Sequence, residues 1–158
     1  LPRRPWHGAD CRHLERHLRR AGHALYEFEN TGTYLPVGDE LFLDHYGDLK
    51  WIVAHTGAYS LMLRNRMQRE IDTNASLASA LSKKVGDYLS LLYFDTVCFE
   101  PEYLRMAAGM VTPEHLLLGS DAPFPLGEPD PVNFIRKSLR PEAAEMILST
   151  NYARIFGS

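Results

Sequence analysis

Three reactive side chains each follow a short apolar run: His55 after Trp51-Ile52-Val53-Ala54, Asp95 after Leu91-Leu92-Tyr93-Phe94, and Asp121 after the stretch HLLLGS. An imidazole titrates near neutrality and can take up or deliver a proton, whereas a carboxylate can ligate a metal ion or accept a proton. Glycines stand beside two of them, Gly57 after His55 and Gly119 before Asp121. An aspartate after a strand commonly caps the next helix or fixes a turn. In GSDAPFPLGE, however, Pro123 and Pro125 prevent a helix from starting at Asp121 and prevent the strand from continuing. A carboxylate without that task needs another partner, and a divalent metal suits it. Asp95 is given no catalytic role.

The elements that position these residues follow from periodicity. Strands are expected over Ala24–Phe28, Lys50–Ala54, Leu91–Phe94 and His115–Leu118. Helices are expected over Asp10–Gly22, Asp39–Tyr46, Tyr59–Asp72, Leu77–Leu89, Pro101–Ala108, Asp130–Ser138, Pro141–Leu148 and Asn151–Phe156, with Asn30–Gly38 as a loop. Strands alternating with helical segments imply parallel pairing through crossovers, an α/β architecture. The sequence has neither G-x-G-x-x-G after its first strand nor a Walker A motif, which speaks against a nucleotide-binding version. Reactive residues at successive strand ends favour a β/α barrel, whose chemistry sits at that edge.

Size and composition narrow the function class. The chain has 158 residues and 45% hydrophobic content, enough for one core and a single domain over 1–158. A net charge of -3 gives no footprint for nucleic acid. No stretch resembles a membrane span, and the basic residues of LPRRPWHGAD lack an apolar region after them, so the expected location is cytoplasmic. Cys11 and Cys98 suggest neither a zinc knuckle nor a disulfide framework and are expected as free thiols. The first residue is Leu rather than Met, as in a processed chain or a piece of a longer one.

Two further clusters have ordinary explanations. His13 and His17 lie one helical turn apart, but Arg12, Arg16, Arg19 and Arg20 around them would repel a cation. Arg64, Arg66 and Arg69 fall within one helix, where arginines usually cover a solvated surface.

The segments DLKWIVAHTGAY, LYFDT and HLLLGSDAPFPLGE, closed by NYARIFG, resemble the C-terminal half of the amidohydrolase-related decarboxylase family typified by aminocarboxymuconate-semialdehyde decarboxylase. They span Asp48 to Gly157, and GSDAPFPLGE is the most specific of them. The resemblance implies a TIM barrel with one catalytic divalent metal, usually zinc, at its C-terminal mouth. It further implies that Asp121 is a catalytic metal ligand and that His55 activates metal-bound water and moves protons. Arg66 matches an arginine that binds substrate carboxylate in a neighbouring subunit's site.

The departures from that family set the alternatives. Its first-strand H-x-H pair is found nowhere in this sequence, and His45 sits in DELFLDHYGD, too polar for the barrel strand that carries a further histidine ligand. A catalytic zinc takes about three protein ligands, and a complete barrel about 200 residues or more. The expected fold is therefore a partial or truncated TIM (β/α) barrel. One functional expectation is a metal-dependent decarboxylase or hydrolase acting on a small carboxylate, with this chain carrying part of the site. The other is a truncated or degenerate non-catalytic member serving as a structural or interaction module. Open strand edges make a homo-oligomer or a partner chain the expected state, with no nucleic-acid or membrane partner.

Overall fold

Among the described residues, four parallel strands stand side by side in chain order: β1 (Glu27–Phe28), β2 (Ile52–Val53), β3 (Tyr93–Asp95) and β4 (Leu116–Leu117). The computed structural model describes residues 50–157 and the strand Glu27–Phe28. The helices expected over Asp10–Gly22 and Asp39–Tyr46, the loop Asn30–Gly38, and Cys11, His13, His17 and His45 lie outside the described residues.

The register explains why these runs are apolar throughout. Val53, Phe94 and Leu116 form one row across β2, β3 and β4 and are buried in the main core. Side chains alternate across a strand, so Ile52, Tyr93 and Leu117 face the other way. There Tyr93 and Leu117 join Ile155 in a second buried cluster, with Ile52 and Phe156 packed against it. Both faces are covered, as parallel sheets require. Asp95 shares the face of Tyr93.

Strands β2, β3 and β4 are shorter than periodicity suggests. His115 belongs to a 3-10 turn, Pro113–His115, rather than to β4, and Leu118 is exposed. The His115 ring stacks on Tyr93 at 5.0 Å, and its Nδ1 lies 2.8 Å from the Leu92 carbonyl, so it fastens the entry to β4 onto the entry to β3.

Helices connect the strands. Helix α1 (Tyr59–Thr73) buries Leu61 and Ile71 and leaves Met62 and Leu63 exposed. The helix expected over Leu77–Leu89 is two helices, α2 (Ala75–Ala80) and α3 (Val85–Leu89). Asn74 caps α2, its Oδ1 accepting the amides of Ser76 and Leu77 at 3.1 and 3.3 Å. The break lies at Leu81–Lys84, where the Gln68 side chain accepts the Val85 amide at 2.9 Å and the Tyr88 hydroxyl accepts the Ser82 amide at 3.0 Å. Side-chain acceptors thus replace the helical carbonyls, and the new start buries Val85, Tyr88 and Leu89. Helix α4 (Pro101–Val111) opens with proline in its first turn and buries Leu104, Ala107 and Val111. Helix α5 (Pro131–Ser138) is capped by Asp130, which accepts the Asn133 amide at 3.2 Å.

The two helices expected over Pro141–Leu148 and Asn151–Phe156 are one continuous path. Helix α6 (Pro141–Glu145) runs through a π turn, Met146–Thr150, into α7 (Asn151–Phe156). Ile147, Asn151 and Ile155 are all buried along it. Asn151 donates through Nδ2 to the carbonyls of Pro113 at 2.7 Å and Leu116 at 2.8 Å, tying this last segment to β4.

Candidate active site

Because β2, β3 and β4 are parallel, the segments carrying His55, Asp95 and Asp121 leave the sheet at the same edge. At the end of β2 the backbone is left-handed over four consecutive residues: φ is 55° at His55, 52° at Thr56, 68° at Gly57 and 41° at Ala58. Such a conformation costs roughly 1–2 kcal/mol per non-glycine residue, so the surroundings must impose it.

Asp95 is the main restraint. Its Oδ2 accepts the His55 amide at 2.9 Å, and its Oδ1 accepts the amides of Thr56 at 2.8 Å and Val97 at 3.0 Å. The Tyr103 hydroxyl, on α4, lies 3.2 Å from the Thr56 carbonyl and also bonds the Ala58 carbonyl. Ser60 Oγ donates to the Gly57 carbonyl at 2.5 Å. Gly57 must lack a side chain, since a Cβ there would lie 2.7 Å from the Phe94 ring. The HTGA segment is thereby fixed from the next strand, from α4 and from the start of α1.

Burial pushes the Asp95 carboxyl above its ordinary pKa, against the pull of the Thr56, Val97 and His55 amides and of the nearby His55 imidazole. Burial likewise raises the half-buried Cys98 thiol, which donates to the Glu100 carbonyl at 3.6 Å. Cys98 is a free thiol.

The loop after β4 is joined to the same assembly. Gly119 donates its amide to Thr96 Oγ1 at 3.1 Å, and a Cβ on Gly119 would come within 2.8 Å of Asp95 Cβ. Asp121 is itself left-handed, with φ 61°. The loop then turns back on itself, as Phe124 donates to the Asp121 carbonyl at 3.0 Å and Glu128 to the Ser120 carbonyl at 2.8 Å. No helix begins at Asp121, as the two prolines require.

The three strand-end residues thus have different occupations. The Asp95 carboxylate is committed to three backbone amides. Among the described residues, nothing hydrogen-bonds the Asp121 carboxylate or the His55 ring, and both residues are half-buried. Arg66 lies on the exposed surface of α1, and no described residue of its own chain pairs with it. The structure therefore brings the His55 backbone onto Asp95 and packs Gly119, two residues before Asp121, against it, while Arg66 lies on the exposed surface of α1. Periodicity did not reveal the anchoring role of Asp95. A signal was present, because HTGA offers amides that no ladder can satisfy and Asp95 is a strand-end carboxylate with no helix to cap.

A family model described as amidohydrolase matches residues 31–158. The chain belongs to the amidohydrolase family. Over 81 residues it is 33% identical to 2-amino-3-carboxymuconate-6-semialdehyde decarboxylase of Caenorhabditis elegans, a match covering 51% of this chain and 20% of that protein. Among solved structures it is similar to 5-carboxyvanillate decarboxylase from Sphingomonas paucimobilis, with TM-score 0.62 and 24% identity over 72% of this chain and 35% of that one. It is also similar to a dihydroxybenzoic acid decarboxylase from Polaromonas sp. JS666 containing manganese and 2-nitroresorcinol, with TM-score 0.63 and 20% identity over 98% of this chain and 48% of that one. The chain thus spans less than half the length of each of these relatives. The family and these likenesses identify the four parallel strands and their helices as part of a TIM-type β/α barrel. No helix among the described residues is long and apolar enough to cross a membrane.

Proposed function

We propose that this chain carries part of the site of a metal-dependent decarboxylase or hydrolase that acts on a small carboxylate. The observation that supports it is the unequal use of the strand-end residues: Asp95 is engaged by three backbone amides, while His55 and Asp121 remain available at the same sheet edge. Structural side chains find partners, whereas groups kept for chemistry stay open to a ligand.

A divalent metal fits Asp121 as one oxygen ligand, but the described residues do not form a complete site for it. Among them no group of three His, Cys, Asp or Glu side chains lies close enough to hold an ion, and both oxygens of Asp95 are engaged by backbone amides. Zinc remains the metal that the family resemblance implies, and the manganese in the Polaromonas relative makes that ion an equal candidate.

The part assigned to this chain is acid–base and electrostatic. Decarboxylation breaks the carbon–carboxylate bond and leaves an electron pair on carbon, which must be protonated, and the His55 imidazolium is the proton donor in this scheme. In hydrolysis the neutral ring instead accepts a proton from the attacking water. Arg66, exposed on α1, binds a substrate carboxylate in the site of a neighbouring copy, which makes the active form a homo-oligomer. The alternative of a non-catalytic structural or interaction module draws on the incomplete ligand set among the described residues.

The test combines metal analysis of the purified chain with turnover of aromatic and semialdehyde carboxylates in added zinc or manganese. Stoichiometric metal lost in Asp121→Asn, with turnover lost in His55→Ala, supports the enzyme. Absence of both metal and turnover favours the module.

A further inference from the structure

We propose that Asp95 is a positioning residue for His55, holding the left-handed HTGA segment through its carboxylate so that the imidazole is presented at the strand-end edge. The inference rests on the reading of His55 as the proton-transferring group and extends it to a residue whose carboxylate is bound to backbone amides.

His55, Thr56 and Ala58 are non-glycine residues with φ between 41° and 55°, and a chain left to itself would relax from such a run. Two of the three amides bound by Asp95 belong to this segment, and the third, Val97, belongs to the loop after β3. One carboxylate therefore sets the HTGA backbone and the adjacent loop in a single geometry, across a separation of 40 residues between Asp95 and His55. Gly119 packs against Asp95 Cβ and bonds Thr96, which brings the loop bearing Asp121 into the same frame. Tyr103 braces the carbonyl side of the segment. The charged and titratable groups facing the carboxylate are the His55 ring and the Cys98 thiol.

Asparagine is the informative replacement. It keeps the shape of aspartate and one acceptor oxygen, which can still hold Thr56 and Val97, but its amide nitrogen donates and cannot accept the His55 N–H that Oδ2 holds. In Asp95→Asn the segment is expected to leave its left-handed conformation while β3 and β4 stay paired through their backbone ladder.

The experiment compares the full chain as wild type and Asp95→Asn by NMR. In the folded variant, hydrogen exchange at the His55 amide should accelerate about tenfold or more, since its protecting bond is lost. The His55 ring nitrogen resonances should move, and its acylation by diethylpyrocarbonate should change several-fold. A merely structural aspartate would lower the melting temperature and leave the ring signals and acylation of the folded fraction unchanged, and that result overturns the proposal. If the variant does not fold, the wild type decides. Couplings across the hydrogen bonds from the Asp95 carboxyl carbon to the His55 and Thr56 amide nitrogens support the proposal, and their absence in the folded chain overturns it. None of these readouts needs turnover, so unaltered activity in His55→Ala would remove the catalytic reading while leaving the Asp95–His55 coupling to stand or fall by itself.

Discussion

Asn151 donates through Nδ2 to the carbonyl of Leu116 at 2.8 Å, which ties the last helix of the chain to the strand that leads to Asp121. The same nitrogen holds the Pro113 carbonyl at 2.7 Å, and Asn151 is wholly buried. The segment NYARIFG therefore works as a clamp on β4.

Removing that clamp should cost stability. Asn151→Ala leaves the Pro113 and Leu116 carbonyls without this donor, and an unsatisfied buried group costs roughly 1–3 kcal/mol. Asn151→Asp should be worse at neutral pH, because a buried carboxylate would face two carbonyl oxygens. Urea unfolding measures both, and stability equal to wild type in either variant would show that the clamp contributes nothing.

Two glycines should respond in opposite directions. Gly57→Ala would put a Cβ 2.7 Å from the Phe94 ring at φ 68°, and roughly 1–3 kcal/mol of destabilisation is expected. Gly109 lies inside α4, where a Cβ meets nothing within 4 Å, so Gly109→Ala should stabilise by about 0.5–1 kcal/mol. Thermal melts of the two variants under one condition check the contrast.

The Asp95 carboxyl should titrate above the ordinary carboxylate range, because burial outweighs its amide bonds. With its folded pKa above the unfolded one, the folded chain binds more protons between the two values. The contribution of Asp95 to stability is then fully present below the unfolded value and declines as pH rises through the folded one. The carbon-13 signal of the carboxyl group reads the shift directly, with the His55, Thr56 and Val97 amides moving at the same midpoint. In Asp95→Asn this component of the pH dependence should vanish from chemical unfolding curves.

Arg66 provides a test of shared sites. If it serves the neighbouring copy, His55→Ala and Arg66→Ala chains should each be inactive alone. A mixed dimer would still contain one intact His55 site supplied with an intact Arg66 from its partner. An equal mixture allowed to exchange subunits should recover up to about a quarter of wild-type turnover. No recovery, with exchange shown by mass spectrometry, would mean that Arg66 acts within its own chain or not at all.

The sequence by itself determined the parallel α/β order and the strand-end positions of His55, Asp95 and Asp121. Apolar runs stopped by polar or glycine residues encode a buried parallel strand locally, and parallel strands end at a common edge. Pro123 and Pro125 likewise exclude a helix at Asp121 through local sterics. Only the tertiary structure decided how the three residues divide their tasks. Asp95 becomes an anchor because the HTGA amides, 40 residues away in sequence, have no ladder partner and meet its carboxylate across adjacent strands. The same holds for the break between α2 and α3, where Gln68 and Tyr88 capture amides that a continuous helix would have used. Periodicity records which side of an element is apolar, but it carries no record of a distant side chain that will satisfy a backbone group, so these features became legible only when the strands stood side by side.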